Sequence, residues 1–390
     1  MSPAPRAAPP YDARSPHGGR MMRIVIAGGG TGGHTSAGLA VAAALVQRGV
    51  EVHWIGSRGG EEARRAPEAG LAFHAIATGK LRRYWAWQNV PDLSLRVPAG
   101  FAQSWRLLRR LKPRLLFATG GFVALPPALA ARMLRIPVVV HEQTAVPGLA
   151  NRVAARFARR VALTFPLTGG EIPAERTVLT GNPLRPGLAG GSREAGCRLL
   201  GFDPTLPVVY FTGGSQGSHK LNRTLGAALA PLLERTQLVH QCGDHPTTGD
   251  RAWLEAAAAR LPAALGRRYA LRPYIGAELR DIFAAADLVV GRSGAGTVNE
   301  CCQLGRAALY VPLPGTSGDE QTANARLVEA AGGAVLLPQI SLTPERLLEA
   351  VTRLLADRAA LARMGERARA LAVPDAADRI ARLVLEAAGA

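Results

Sequence analysis

The stretch from Ile24 to His34 constrains this chain more than any other. Arg23-Ile24-Val25-Ile26-Ala27 is a short apolar run rich in β-branched residues, the pattern of a buried strand. It enters Gly28-Gly29-Gly30-Thr31-Gly32-Gly33-His34 and then Leu39–Leu45, a good helix former. Strand, glycine loop and helix together set bare backbone N–H groups and a helix N-terminus against a bound anion. Gly28, Gly30 and Gly33 also satisfy the spacing G-x-G-x-x-G of dinucleotide sites, although a tight turn that binds nothing gives the same pattern. His34 places a titratable ring directly after a loop built for close approach.

The theme recurs. Val50–Gly56 reads as a second strand, but Ser57-Arg58 stands where a dinucleotide site wants an acid for the ribose. Leu71–Ile76 reads as a third strand. Arg114–Ala118 is a fourth, running into Thr119-Gly120-Gly121-Phe122, and Ile136–Val140 a fifth, running into His141-Glu142-Gln143. Alternating strands and helices predict a doubly wound parallel sheet with its ligands at the carboxyl ends of the strands. His34, Gly120-Gly121 and His141-Glu142-Gln143 all fall at such ends.

Gly181-Asn182-Pro183-Leu184-Arg185 opens a Pro- and Gly-broken connection, after which Val208–Phe211 begins a second half. Its first strand enters Gly213-Gly214-Ser215-Gln216-Gly217 and a helix from about Lys220. Further strands are read at 238–241, 269–272, 288–291 and 308–311. Gly291-Arg292-Ser293-Gly294-Ala295-Gly296-Thr297 precedes a helix expected from Val298, which puts Glu300 in its first turn. There the carboxylate either reaches a ribose diol beside a diphosphate or compensates the helix dipole. Cys301 and Cys302 point about 100° apart on a helix and read as packing residues. Thr343-Pro344 is an N-cap and N1 pair, and a last helix begins at Pro374-Asp375.

At 390 residues, 48% of them hydrophobic, the chain is expected to form two domains. Residues 1–21 are rich in Pro, Ala and Arg and lack a signal-peptide core, so they read as a disordered tail, with Met21 or Met22 the functional beginning. The apolar run 115–131 is broken by Gly120-Gly121 and Pro126-Pro127 and does not read as a membrane span. Four cysteines with no C-x-x-C pair give no metal site and suit reduced thiols.

The formal charge of +18 calls for an anionic partner. It concentrates between Lys80 and Arg114, where nine basic residues face one acid and Tyr84, Trp85, Trp87 and Trp105 lie among them. Cations interleaved with amphipathic aromatics suit a membrane interface or a nucleic-acid surface.

Seven segments in order resemble one family, the bacterial peptidoglycan glycosyltransferases of family 28 that add N-acetylglucosamine to lipid I to make lipid II. They are Gly29–His34, Thr119–Phe122, His141–Gln143, Gly181–Arg185, Gly213–Gly217, Arg292–Glu300 and Gln321–Ala325. The resemblance covers nearly all of 22–390. It implies an α/β GT-B fold of two Rossmann-like domains facing across a cleft: 22–183 with the returning helix 374–390 as the acceptor and membrane-facing domain, and 184–373 as the UDP-sugar domain. It implies no cofactor and no metal.

UDP-N-acetylglucosamine would lie against Ile275 at uracil, Glu300 at the ribose, and Ser215 and Arg185 near the diphosphate. Ala295, Gly296, Thr297, Val298 and Asn299 would line its site. Gln321 and Asn324 would hold the sugar, Thr144 stands at a sugar-contact position, and Thr31, Gly32 and Gly33 would complete the diphosphate site. Four positions depart from the family pattern: Ala37 for Pro, Thr144 for Asn, Gly296 for a bulkier residue, and Glu320 for His or Gln.

The implied partners are UDP-N-acetylglucosamine, polyprenyl-linked lipid I and the anionic cytoplasmic face of the cell membrane, bound peripherally through Lys80, Arg82, Arg83, Trp85 and Trp87. Other cell-wall synthesis proteins stay open as partners, and no nucleic acid is expected. His34 is the candidate general base, with Glu142 and His141 as alternatives. Three other classes compete: a GT-B transferase with a different acceptor, a nicotinamide oxidoreductase, which lacks its acid after the second strand, and a nucleic-acid-binding protein, for which no binding module is found.

Overall fold

The computed structural model describes residues 21–30, 32–79, 96–167, 172–245 and 247–390. Two parallel sheets carry them. The first holds β1 (Arg23–Gly28), β2 (Glu51–Ser57), β3 (Ala72–Ile76), β4 (Leu115–Gly120), β5 (Val138–Glu142), β6 (Arg160–Leu163) and β7 (Thr177–Leu179), in the order β3-β2-β1-β4-β5-β6-β7. The second holds β8 (Val208–Thr212), β9 (Gln237–Gln241), β10 (Tyr269–Arg272), β11 (Leu288–Gly291), β12 (Ala308–Tyr310) and β13 (Ala334–Leu336), in the order β10-β9-β8-β11-β12-β13. Counted from its own first strand, each sheet runs 3-2-1-4-5-6, and the first adds a seventh strand at that end. Strand order therefore reverses between β1 and β4 and again between β8 and β11, the points at which doubly wound sheets open a crevice.

Helices cross between strands. In chain order they are α1 (Gly32–Val46), α2 (Glu61–Glu68), α3 (Val97–Leu111), α4 (Leu125–Met133), α5 (Leu149–Ala155), α6 (Arg193–Leu200), α7 (His219–Ala227) and α8 (Leu229–Leu233). There follow α9 (Asp250–Ala259), α10 (Ala263–Gly266), α11 (Leu279–Ala285), α12 (Ala295–Leu304), α13 (Glu320–Ala330), α14 (Pro344–Leu355), α15 (Arg358–Ala370) and α16 (Ala376–Ala388). The caps of α14 and α15 follow from sequence: Thr343 Oγ1 accepts from Arg346 N–H, and Asp357 Oδ1 from Ala360 N–H. One compact unit runs up to His141 and takes in Val153–Val161 and Ile380–Ala390. The other comprises Glu142–Arg152 and Ala162–Arg379.

The central strands are buried on both faces, which explains their unbroken apolar runs. Ile24, Val25 and Ile26 in β1 and Val289 and Val290 in β11 are fully enclosed. The sequence reading missed β6, β7 and β13, which are three or four residues long and too short for a periodic signal. All four cysteines are free and buried, as their packing role requires. Burial pushes the thiols of Cys301 and Cys302 up, Cys302 to about 12.

Under the second sheet lies a buried polar chain. His240 on β9 meets the Tyr269 hydroxyl at Nδ1 (2.9 Å) and Asn222 Oδ1 at Nε2 (3.0 Å). Asn222 donates to Asp250, which also receives His219 and Arg223. The carbonyl at Nε2 makes that nitrogen the donor, so the neutral ring is fully matched. Burial pushes the His240 pKa down to about 3. A histidine whose folded pKa is depressed supports the fold above its unfolded pKa of about 6.5 and withdraws that support as pH falls. Denaturant titrations from pH 7 to 3 are expected to show a loss of stability that is shallower in His240→Gln.

Candidate active site

At the first switch point the chain leaves β1 through glycines with left-handed or extended positive torsions, Gly29 (φ 149°) and Gly30 (φ 79°), and enters α1 at Gly32. His34 is thus the third residue of the helix rather than the end of a loop. Its Nδ1 lies 2.8 Å from the Thr119 carbonyl at the end of β4. A carbonyl only accepts, so Nδ1 carries the proton and the lone pair of the neutral ring sits on Nε2. A Cβ on Gly121 would come within 3.3 Å of the His34 ring and 2.5 Å of the Gly29 carbonyl, so glycine there permits the approach.

Sequence reasoning missed Glu62. Its carboxylate is fully buried and accepts from Ser57 N–H (3.0 Å), Ser57 Oγ (2.6 Å) and Gly30 N–H (3.3 Å). It stands over the glycine turn where a dinucleotide diphosphate would lie. A Cβ on Gly29 would fall 2.1 Å from its carboxyl carbon. A like-charged phosphate is therefore excluded from Gly29-Gly30, and the nicotinamide reading loses its binding loop as well as its ribose acid. Beside it, Glu61 Oε2 lies 3.1 Å from the place of a Cβ on Gly32. Thr31, expected to bind diphosphate, lies outside the described residues, as do Lys80, Arg82, Arg83, Trp85 and Trp87.

The two alternative bases are both buried. His141 is enclosed within β5, stacked on Phe117 with ring centroids 6.4 Å apart. Glu142, 2% exposed, receives Thr144 N–H (3.0 Å), Gly148 N–H (3.1 Å) and Asn151 Nδ2 (2.9 Å). Thr144 Oγ1 lies 2.7 Å from both Glu142 Oε1 and the Val146 carbonyl, its one proton serving one of them at a time. Glu142 clasps the loop 144–151, and Thr144 is part of the clasp.

The second switch point is more open. After β8 the loop Gly213–Ser218 carries exposed Ser215 and leads into α7. After β11, α12 begins at Ala295 with Gly294 as N-cap, three residues earlier than expected. Glu300 is consequently in the second turn, where it does little for the helix dipole. It meets Arg185 Nη2 at 2.9 Å. Burial raises the Glu300 pKa, and the Arg185 guanidinium pulls it back.

Two of the expected site residues lie on the inner side of this helix. Val298 is fully buried and its N–H is bonded to the Gly294 carbonyl, while Asn299 is buried and donates to the Asn182 carbonyl at 3.0 Å. The unused amides are those of Gly294, Ala295, Gly296 and Thr297, the first-turn donors that helix geometry leaves over. A Cβ on Gly294 or Gly296 would meet nothing within 4 Å, so the missing bulk at Gly296 leaves open space.

Asn324, fully enclosed, accepts from Ala145 N–H (2.9 Å) and donates to the Ser293 carbonyl (3.1 Å), so it joins two loops. Gln321 Oε1 accepts from Leu313 N–H at 3.0 Å, which fixes the amide and turns its NH₂ group to other use. Ile275, 1% exposed, has its side chain in the core, leaving its backbone for any contact with a base.

Arg292, given no role from sequence, is the buried cation of this site. It donates to the Val311 and Pro312 carbonyls, to Ser218 Oγ (2.8 Å) and to Gln339 Oε1 (2.6 Å). All four acceptors are neutral. Burial lowers its pKa to about 10, which leaves it charged at neutral pH and joined to the loop that carries Ser215.

Two parallel sheets of this order, each with a glycine loop at its switch point, are the two Rossmann-like domains of the GT-B class. The chain belongs to glycosyltransferase family 28, whose N-terminal domain matches residues 24–163 and whose C-terminal domain matches 208–380. A Nocardioides protein described as UDP-N-acetylglucosamine--N-acetylmuramyl-(pentapeptide) pyrophosphoryl-undecaprenol N-acetylglucosamine transferase is 39% identical, covering 94% of this chain and 98% of its own. The Xanthomonas axonopodis pv. citri protein of the same description is 41% identical, covering 94% and 82%. The crystal structure of Acinetobacter baumannii MurG superposes with a TM-score of 0.71 at 31% identity, covering 94% of this chain and 99% of that one.

His34 and Glu142 can be told apart by what each substitution changes. Glu142→Gln removes one acceptor oxygen from the clasp and is expected to cost about 1–3 kcal/mol of stability in denaturant titration, with turnover falling less than tenfold. His34→Ala is expected to lower turnover by roughly 10²–10⁴ while leaving donor affinity nearly unchanged. The reverse pattern would move the base to Glu142.

Proposed function

We propose that the protein transfers N-acetylglucosamine from UDP-N-acetylglucosamine to muramoyl-pentapeptide diphosphoryl-undecaprenol, the step from lipid I to lipid II in peptidoglycan synthesis. The observation that carries the reading is the second switch point. An open helix N-terminus, a buried Arg292 and a half-buried Glu300–Arg185 pair together suit a diphosphate next to a ribose. The relatives described above act in name on the same donor and acceptor.

The chemistry follows from these groups. The acceptor hydroxyl oxygen attacks the anomeric carbon as the bond to the diphosphate breaks, and its proton passes to Nε2 of His34. Backbone N–H groups of 294–297 and the Ser215 loop take up the charge that develops on the departing UDP. Gly32 and Gly33 add donors of the same kind. A single displacement inverts the centre, giving a β-linkage from an α-linked donor. Glu300 accepts from the ribose diol, with Arg185 turning from Glu300 towards the diphosphate as the nucleotide arrives. Gln321 binds the sugar.

Measuring which of UDP-sugars, NADP or DNA raises the melting temperature separates the competing classes, and only UDP-N-acetylglucosamine and UDP are expected to do so. Within that site, Glu300→Ala is expected to weaken UDP itself, and Gln321→Ala to weaken the full donor more than UDP. Titration calorimetry that found both affinities unchanged would overturn the assignment.

The acceptor carries a polyprenyl tail, and no helix among the described residues is long and apolar enough to cross a membrane. We assign the bilayer contact to residues 80–114, on the cytoplasmic face. Within the described part, α3 exposes Arg106, Arg109 and Arg110, with Phe101 and Trp105 half exposed and their rings 6.1 Å apart. Each basic residue at an anionic surface contributes about 1 kcal/mol, screened by salt. Trp85→Ser with Trp87→Ser is expected to reduce vesicle binding and spare activity on a short-tailed soluble acceptor. Vesicle binding that survives both the substitutions and high salt would place the contact elsewhere.

A further inference from the structure

At the C-terminal end of α12, away from the proposed donor site, lies a cavity of about 560 Å³, within the range of small-molecule sites. Ten residues of helix separate the two ends, about 15 Å. Arg280, Arg306 and Arg369 converge on this cavity, and no Asp or Glu lines it. Its inner wall is apolar, formed by buried Phe283 and Leu188 with Leu304 beside them.

Each guanidinium is only partly used. Arg306 Nη1 donates to the Ala286 carbonyl at the end of α11 (3.1 Å), and its buried Nε has no hydrogen-bond partner. Arg369 Nη2 donates to the Leu304 carbonyl at the end of α12 (3.1 Å). Arg280 Nε donates to Asp281 at 3.3 Å, a carboxylate that also accepts from Ser192 N–H. Arg306 feels Arg369 as a like charge, and the carboxylate nearest to balancing it, Asp287, is held by Arg193 in two contacts of 3.1 Å. Helix C-termini explain one donor on each of Arg306 and Arg369. They do not explain why three five-donor forks line one apolar-walled space whose lining holds no Asp or Glu.

We propose that this cavity is a second ligand site, separate from the donor site, that takes an organic phosphate. The phosphate meets the forks of Arg280, Arg306 and Arg369, and the less polar part of the ligand lies on Phe283 and Leu188. Arginine suits the task because its planar fork matches phosphate oxygens two at a time. A lipid phosphate headgroup and a soluble phosphomonoester share this chemistry.

Titration calorimetry on the full chain, with the donor site filled by UDP, tests the proposal using glycerol 3-phosphate and monomeric dihexanoyl phosphatidate. Saturable binding of at least one is expected, weakened about tenfold or more by Arg280→Gln with Arg369→Gln. Both side chains are exposed, so the fold is expected to survive, with an unchanged melting temperature as the check. Arg260→Gln with Arg267→Gln removes the same charge from the exposed surface elsewhere and is expected to leave binding intact. Preference for phosphatidate identifies a lipid headgroup, and preference for glycerol 3-phosphate a soluble ligand. No saturable binding of either, retention in the Arg280 and Arg369 variant, or equal loss in the control variant would overturn it.

Discussion

Where strand order reverses in a parallel sheet, the connections on either side depart to opposite faces, and the ends of the two strands are left uncovered. That constraint organises both units of this protein. The register pairs Gly28 with Gly120 at one reversal and Gly291 with Thr212 at the other, so loops after neighbouring strands emerge side by side. His34 reaches the Thr119 carbonyl because β1 and β4 are adjacent, although the residues are 85 apart in sequence. Arg292 reaches Ser218 because β11 lies beside β8. The functional groups are consequences of the strand order.

The two reversals are tuned to opposite charge. The second combines first-turn amides, a cation among neutral acceptors and a carboxylate held by Arg185, an environment that welcomes an anion. The first has Glu62 inside its glycine turn and Glu61 beside α1. Under the function proposed above, an anion belongs at the second reversal and a proton at the first, where the Thr119 carbonyl holds the His34 ring through Nδ1.

Most strands and both glycine loops were legible because parallel strands buried on two faces read as continuous β-branched runs. The Thr343 and Pro344 start of α14 was legible because capping is local chemistry. What sequence did not show depends on long-range partners. The two ends of Asn324 lie on Ala145 and Ser293, and the loop 144–151 folds onto Glu142, contacts that no local pattern announces. The start of α12 was misplaced because Gly294-Ala295-Gly296 reads as loop, yet Gly294 serves as N-cap and the small residues keep the helix end open. With the helix starting at Ala295, Val298 and Asn299 are both buried.

Glu62 shows why a glycine spacing cannot by itself specify a ligand. The turn Gly28–Gly30 has the torsions and the bare amides of an anion-binding loop. An internal carboxylate has taken one of those amides and, through Ser57, also tied down the end of β2, where a dinucleotide enzyme keeps its ribose acid. In both cases an acid stands near the ends of β1 and β2. In a dinucleotide enzyme it faces outwards to a hydroxyl; here it comes from α2, faces inwards and occupies the binding loop. The turn keeps its shape because a carboxylate of the protein itself is built into it.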